Sequence, residues 1–215
     1  AALSTMLSLL RGFEERDMRV DLFISNYVYE KVYEGKHVTI SYHGALPRKK
    51  VVTWDKIGYF RPDQNLLMHS LCYRVDVLRE ANLPLPAHTF YVDNIYAYVP
   101  LPHCKTMYYA DIDLYRYFIG REGQSVNEAT MIRRLDQQFR ITRIMMNAYH
   151  LYTDVKEPRL ASYMMGYFTM MMSVCSIFSK LSEEDRWKEE NKRLWAELKE
   201  YDERMYRHAR CGILG

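Results

Sequence analysis

Asp93 is the residue in this chain whose neighbours best suit it for chemistry. It stands in LPLPAHTFYVDNIYAYVPLP (83–102), where Pro84 and Pro86 hold the approach extended and Pro100 and Pro102 close the stretch. A helix is expected over 94–99. Asp93 would then meet its N-terminus, where unsatisfied N–H groups and the helix dipole keep a carboxylate ionised. Such a group can cap the helix, which is structural, or serve as the charged group of a functional site. Phe90 and Tyr91 before it and Asn94 after it add aromatic surface and an amide to the same turn.

Other candidates are scattered. His69 lies in LLMHSLCYR (66–74), an expected strand, and reads either as a half-buried histidine with its hydrogen bonds met or as a substrate contact. Arg121, Gln124 and Ser125 follow in a polar turn built on Gly120 and Gly123, which reads either as a surface turn or as a polar contact loop. Asp111-Ile112-Asp113 has the spacing of a metal-binding pair but sits inside a Tyr-rich strand, and no metal site is assigned to it. The seven histidines show no i, i+4 pair. The four cysteines form no C-x-x-C and read as reduced thiols of a cytosolic protein. There is no Gly-rich phosphate loop, no G-x-S-x-G and no H-E-x-x-H.

The elements that would position these residues change character along the chain. The N-terminal part alternates: a helix on Leu3, Met6, Leu7, Leu10 and Phe13, then a strand over 20–31. A turn at Glu34-Gly35-Lys36 leads into a partner strand over 37–44, so this pair reads as a hairpin. A short helix near 54–59, the strand over 66–74, a helix over 75–81 and a long or broken strand over 106–120 follow. From 127 onward the pattern is helical only. It includes 160–179, twenty residues without a charge, which read as a buried or interface helix and are long enough to span a bilayer. Ser182 to Asp185 then open a last, highly charged helix reaching about His208. The expected class is mixed α/β, with units over 1–126 and 127–215. A net charge of +3 is too small an excess to mark a nucleic-acid binder. Nineteen tyrosines favour half-buried polar surfaces.

FYVDNIYAYVPLPHCKTMYYADIDLYRYFIGREGQSVN resembles the second half of family 2 glycosyltransferases, which have the A-type nucleotide-sugar fold. In them an acidic residue opens a short helix after the acceptor region, and a strand then leads to a Y-R-Y…G-R-x-x-Q-S stretch. Upstream, Ala2 to Arg11 resembles the helix after the metal-binding Asp-x-Asp loop, VDLFISNYVYE the strand after it, and LLMHSLCYRVDVLREANL the unit carrying acceptor contacts. Val92 departs from the pattern, since many relatives have Glu there. The likeness covers about residues 1–127. It implies an incomplete A-type sheet with flanking helices and a C-terminal helical extension, the nucleotide-binding half lying before Ala1. Asp93 would be the general base, with His69, Tyr91, Asn94, Arg121, Gln124 and Ser125 as substrate contacts.

On that resemblance the full-length protein moves a sugar from a nucleotide-sugar donor to a glycan or lipid-linked acceptor in polysaccharide biosynthesis. It would use a divalent metal (Mg or Mn) that this part of the protein does not hold, and this part alone is expected to be inactive. The location implied is cytoplasmic, at the inner face of the membrane, with self-association through the helices and a peripheral membrane contact as further expectations. The competing class is a non-catalytic interaction module, its helices docking a partner and its α/β part serving as scaffold.

Overall fold

The computed structural model describes residues 1–120 and 128–211. The chain forms two compact units, Ala1–Leu83 with Pro100–Glu122, and Pro84–Val99 with Gly123–Gly215. The class is mixed α/β.

In the first unit, α1 (Ala2–Glu15), β1 (Leu22–Lys31), β2 (Lys36–Ile40), β3 (Val51–Val52), β4 (Leu71–Tyr73), α2 (Val75–Ala81) and β5 (Met107–Ile119) follow in order. The sheet runs β2-β1-β5-β3, and β4 pairs with the start of β1. β1 and β2 form the expected hairpin, from Tyr27 opposite Ile40 to Lys31 opposite Lys36, closed by Gly35 in the left-handed conformation (φ 62°). β1 and β5 are parallel, so the chain between them must cross over. β5 is one long strand with two register shifts: Ser25 faces Ala110, Asn26 faces Asp113 and Tyr27 faces Tyr115.

The run from Leu22 to Val28 is buried, as a strand covered on both faces requires. Phe13 of α1 packs with Val20, Phe23, Tyr108 and Ala110, its ring edge-on to Tyr108 at 4.8 Å. The strand expected over 66–74 is shorter. Ser70 donates both its N–H and its hydroxyl to the Leu67 carbonyl (2.9 and 2.8 Å), and this local turn displaces the ladder until Leu71.

Asp21, 1% exposed, fastens this unit. Its Oδ2 accepts the N–H groups of Lys105 (2.7 Å) and Thr106 (3.1 Å), and its Oδ1 accepts Arg19 Nε (2.6 Å). Its backbone N–H donates to the Thr106 carbonyl (3.0 Å), and its own carbonyl accepts Arg74 N–H (2.9 Å). One side chain thereby sets the entry of β1 beside that of β5.

In the second unit, α3 (Asp93–Tyr98) is followed by α4 (Glu128–Arg133), α5 (Leu135–Ala148), α6 (Pro158–Leu181), α7 (Asp185–Tyr201) and α8 (Glu203–Cys211). The segment 84–99 therefore belongs with the helices, although the sequence places the boundary near 126. Side-chain contacts explain the assignment. Phe90 N–H donates to Gln137 Oε1 (2.7 Å), the Arg134 guanidinium stacks 3.4 Å over the Phe90 ring, and Tyr149 hydroxyl donates to the Val99 carbonyl (2.8 Å). The charged helix expected to reach about His208 breaks at Asp202, whose Oδ1 accepts Met205 N–H (2.9 Å) and caps α8.

α6 opens on Pro158, suited to a first turn whose N–H groups have no partner. It is the one helix among the described residues long and apolar enough to cross a membrane by length and composition. Most of that apolar stretch is buried within the unit, with Met164, Met165, Phe168, Met172 and Cys175 all enclosed. α5 and α7 are tied by Arg143, which reaches Glu190 (2.8 Å) and grips Glu197 through two nitrogens (2.6 and 3.1 Å).

Replacing Asp21 by Ala strips two backbone N–H groups and a guanidinium of their buried acceptor. The loss expected is about 3 kcal/mol of folding stability, measured as a lower urea midpoint with an unchanged slope. A variant as stable as the parent would show that Asp21 fastens nothing.

Candidate functional site

Asp93 is the first residue of α3, one position earlier than expected, and Val92 takes the N-cap place without a side-chain cap. The approach is strained: His88 (φ 50°) and Tyr91 (φ 67°) both occupy the left-handed region. A bulky residue held there costs on the order of 1 kcal/mol. Tyr91 is held by its carbonyl, which accepts the N–H of Asn94 (3.1 Å) and Asn94 Nδ2 (3.0 Å). The other end of that amide, Asn94 Oδ1, accepts the Tyr167 hydroxyl of α6 (2.9 Å). Asn94 thus fastens the start of α3 to α6, and both ends of its amide are engaged within the protein.

Asp93 itself is half-buried. Burial pushes its carboxyl group above the usual carboxylate range, while the N–H groups of Asp93 and Asn94 pull the other way. No ion pair among the described residues neutralises it. The result is a desolvated carboxyl group that is a stronger base than a surface aspartate. Tyr91 beside it is also shifted up, by burial first and by Asp93 in part, whereas Arg134 opposes the shift. Arg134 contributes one further feature: its Nη1 is buried without a hydrogen-bond partner among the described residues. Arg134 stands close in sequence to Arg133, Arg140 and Arg143. Only the contact with Phe90 separates it from the others, of which Arg143 is spent on two glutamates and Arg140 on Thr89 (3.3 Å).

In the first unit, His69 lies on a 3₁₀ turn (Met68–Ser70) against an aromatic face of the sheet. Tyr27 and Tyr29 of β1 stand opposite Tyr115 and Tyr117 of β5, a two-by-two set of rings on one face. The imidazole stacks on Tyr115 and Tyr117 (5.0 and 4.7 Å) and meets Tyr27 edge-on (5.4 Å). Its Nδ1 is buried without a partner among the described residues, and burial lowers its pKa, so the ring is neutral at pH 7. Tyr115 is 44% exposed and leaves flat apolar surface open.

Asp111 and Asp113 flank the register shift of β5. Asn26 Nδ2 bridges them (2.9 and 3.1 Å), His43 Nε2 (3.0 Å) and Arg48 (3.3 Å) reach Asp111, and Thr39 reaches Asp113 (3.4 Å). Burial disfavours ionising Asp111, but the hydrogen bonds from Asn26, His43 and Arg48 outweigh it and hold the carboxyl group at about 2. Among the described residues no group of three or more His, Cys, Asp or Glu side chains is arranged to hold a metal. The four cysteines are free, and burial raises Cys175 to about 12, which leaves it an unreactive thiol. Of the expected site residues, Tyr91, Asp93 and Asn94 are brought together at α3 and His69 stands in the other unit. Arg121, Gln124 and Ser125 lie outside the described residues.

No protein-family model matches the chain, and no curated protein or solved structure shows significant similarity to it.

Because its pKa is raised, Asp93 binds its proton more tightly in the folded protein than in the unfolded chain. Stability therefore falls as pH climbs from about 4, the ordinary carboxylate value, through the raised one, and the cost is fully present above it. Asp93→Asn is expected to melt higher than the parent at pH 7, by about 3 °C for each kcal/mol recovered. The gain should shrink as pH is brought down to about 4. Melting curves of both proteins across that range test this, and a variant that melts lower at pH 7 contradicts it.

Proposed function

We propose that this chain is the acceptor-side part of an inverting glycosyltransferase of the family 2 type, with Asp93 as its general base. The observation that carries the reading is Asp93 itself. It is a desolvated carboxyl group of raised basicity at the N-terminus of α3, behind a strained tyrosine, inside the segment whose residues carry the resemblance. Asn94, bound to Tyr167 and to the Tyr91 carbonyl, serves as its positioning residue.

In the reaction so assigned, an acceptor hydroxyl oxygen attacks the anomeric carbon of a nucleotide-sugar. The new glycosidic C–O bond forms as the bond to the diphosphate oxygen breaks, and the nucleoside diphosphate leaves with the electron pair. Asp93 takes the hydroxyl proton, and attack from the face opposite the leaving group inverts the centre. Burial makes Asp93 more basic, and hydrogen-bond reach between its carboxylate and the hydroxyl is the geometric demand. Within the first unit by itself, the His69–Tyr115–Tyr117 surface, a neutral ring set with one partly exposed tyrosine, suits the flat C–H face of a pyranose. Arg134, one nitrogen of which has no hydrogen-bond partner among the described residues, supplies positive charge near Tyr91.

The resemblance also implies a divalent cation. Asp111 and Asp113 do not fit one: Asn26 bridges them and Arg48 already brings a positive charge to Asp111. On this reading the cation belongs to residues outside this chain, and so does the nucleotide-binding half. Acceptors would be glycans or lipid-linked glycans at the cytoplasmic face of a membrane.

The test is the full-length protein with Asp93→Asn, followed by release of nucleoside diphosphate across a panel of nucleotide-sugars. A fall of about a thousandfold with the circular dichroism unchanged is expected. An unchanged rate would overturn the base assignment and favour a non-catalytic scaffold.

A further inference from the structure

The helical unit contains a groove of about 570 Å³ between α6, α7 and α8. Trp195 lines it; its Nε1 donates to Ser176 Oγ (3.0 Å) and its ring meets Tyr206 edge-on at 6.0 Å. Four cations line it: Lys180 from α6, Lys192 and Lys199 from α7, and Arg210 from α8. No acidic side chain lies among its described lining residues.

This imbalance follows from how α7 distributes its charges. Lys192, Trp195 and Lys199, at i, i+3 and i+7, share one face of the helix and line the groove. Glu190 and Glu197, seven residues apart, lie on another face, where Arg143 of α5 takes both. Two acids of α7 that could balance the lysines are therefore engaged elsewhere. Lys192 keeps one acidic partner, Glu189 at 2.7 Å. Lys180, Lys199 and Arg210 form no ion pair among the described residues, and Lys199 Nζ stands 5.9 Å from the Tyr206 ring. Like charges gathered without counter-charge repel one another, and an anion placed among them relieves that cost.

The apolar side chains decide the kind of anion. Ile177 lines the groove at 53% exposure, and Leu181, adjacent to Lys180, is 50% exposed. Cations, exposed aliphatic groups and an indole together are the chemistry of a surface that meets lipid headgroups, with lysines on the phosphates and apolar groups at the acyl boundary. We propose that this groove binds the phosphate headgroups of anionic lipids and seats the chain on a membrane surface. The contact is peripheral, because α6 keeps its long apolar stretch mostly inside the unit.

The proposal is independent of Asp93 and is tested on the intact 215-residue chain. Co-sedimentation is measured with vesicles of phosphatidylglycerol mixed into phosphatidylcholine and with phosphatidylcholine alone. Binding to the first and not the second is expected. Lys180→Ala with Lys199→Ala, both exposed positions, should weaken it about thirtyfold, with the melting temperature held as the control for folding. Equal binding to both vesicles, or undiminished binding by the double variant, overturns the proposal. So does saturable binding of inorganic pyrophosphate with no affinity for either vesicle, which would assign the groove to a soluble phosphate compound.

Discussion

The parallel pairing of β1 with β5 is the constraint on which the first unit is built. A parallel pair cannot be closed by a tight turn, so the intervening chain has to travel and return in register. Its entry is set by Asp21, which holds the N–H groups of Lys105 and Thr106 on a buried side chain. Once those two strands are aligned, β2 and β4 add to the free edge of β1 and β3 adds to β5. The same alignment places Tyr27 opposite Tyr115 and Tyr29 opposite Tyr117, creating the aromatic face that His69 covers.

Three aspartates show how environment assigns different tasks to one side chain. Asp21 is buried but fully met by donors, and its role is to hold strands. Asp111 is gripped by Asn26, His43 and Arg48 and is held at about 2, which makes it a fixed charge and a poor base. Asp93 has burial without a compensating cation among the described residues, so its basicity rises. The third arrangement is the one that the proposed general base requires, and the strained backbone at Tyr91 with the Asn94 bracket keeps Asp93 in place.

The helical unit sorts residues by helix face. α6 turns its methionines and aromatic rings inward, which explains an uncharged stretch of membrane-spanning length inside a packed unit. α7 separates acids from bases so that Arg143 is satisfied on one side while lysines collect on another. A count over the whole chain gives only +3, and the local excess becomes visible only once the helices are packed.

Much of this was legible in the sequence, because periodicity and turn chemistry are local. The β1–β2 hairpin follows from Gly35 and the flanking strands, α6 from its spacing, and α3 from Asp93 and the surrounding prolines. The local signals fell short where short-range hydrogen bonds compete with an element, as Ser70 does before β4 and Asp202 does between α7 and α8. Asp202 was readable in principle, as a capping residue three before Met205. What only the tertiary structure decided are the properties made by residues distant in sequence. They include the assignment of 84–99 to the helical unit through Gln137, Arg134 and Tyr149, the buried nitrogens of His69 and Arg134 that have no partner among the described residues, and the contrast between Asp93 and Asp111. Burial and pairing set a carboxylate's basicity, and both depend on which distant residues arrive beside it. The sequence by itself therefore determined which residues could carry chemistry, and packing determined the state in which each is held.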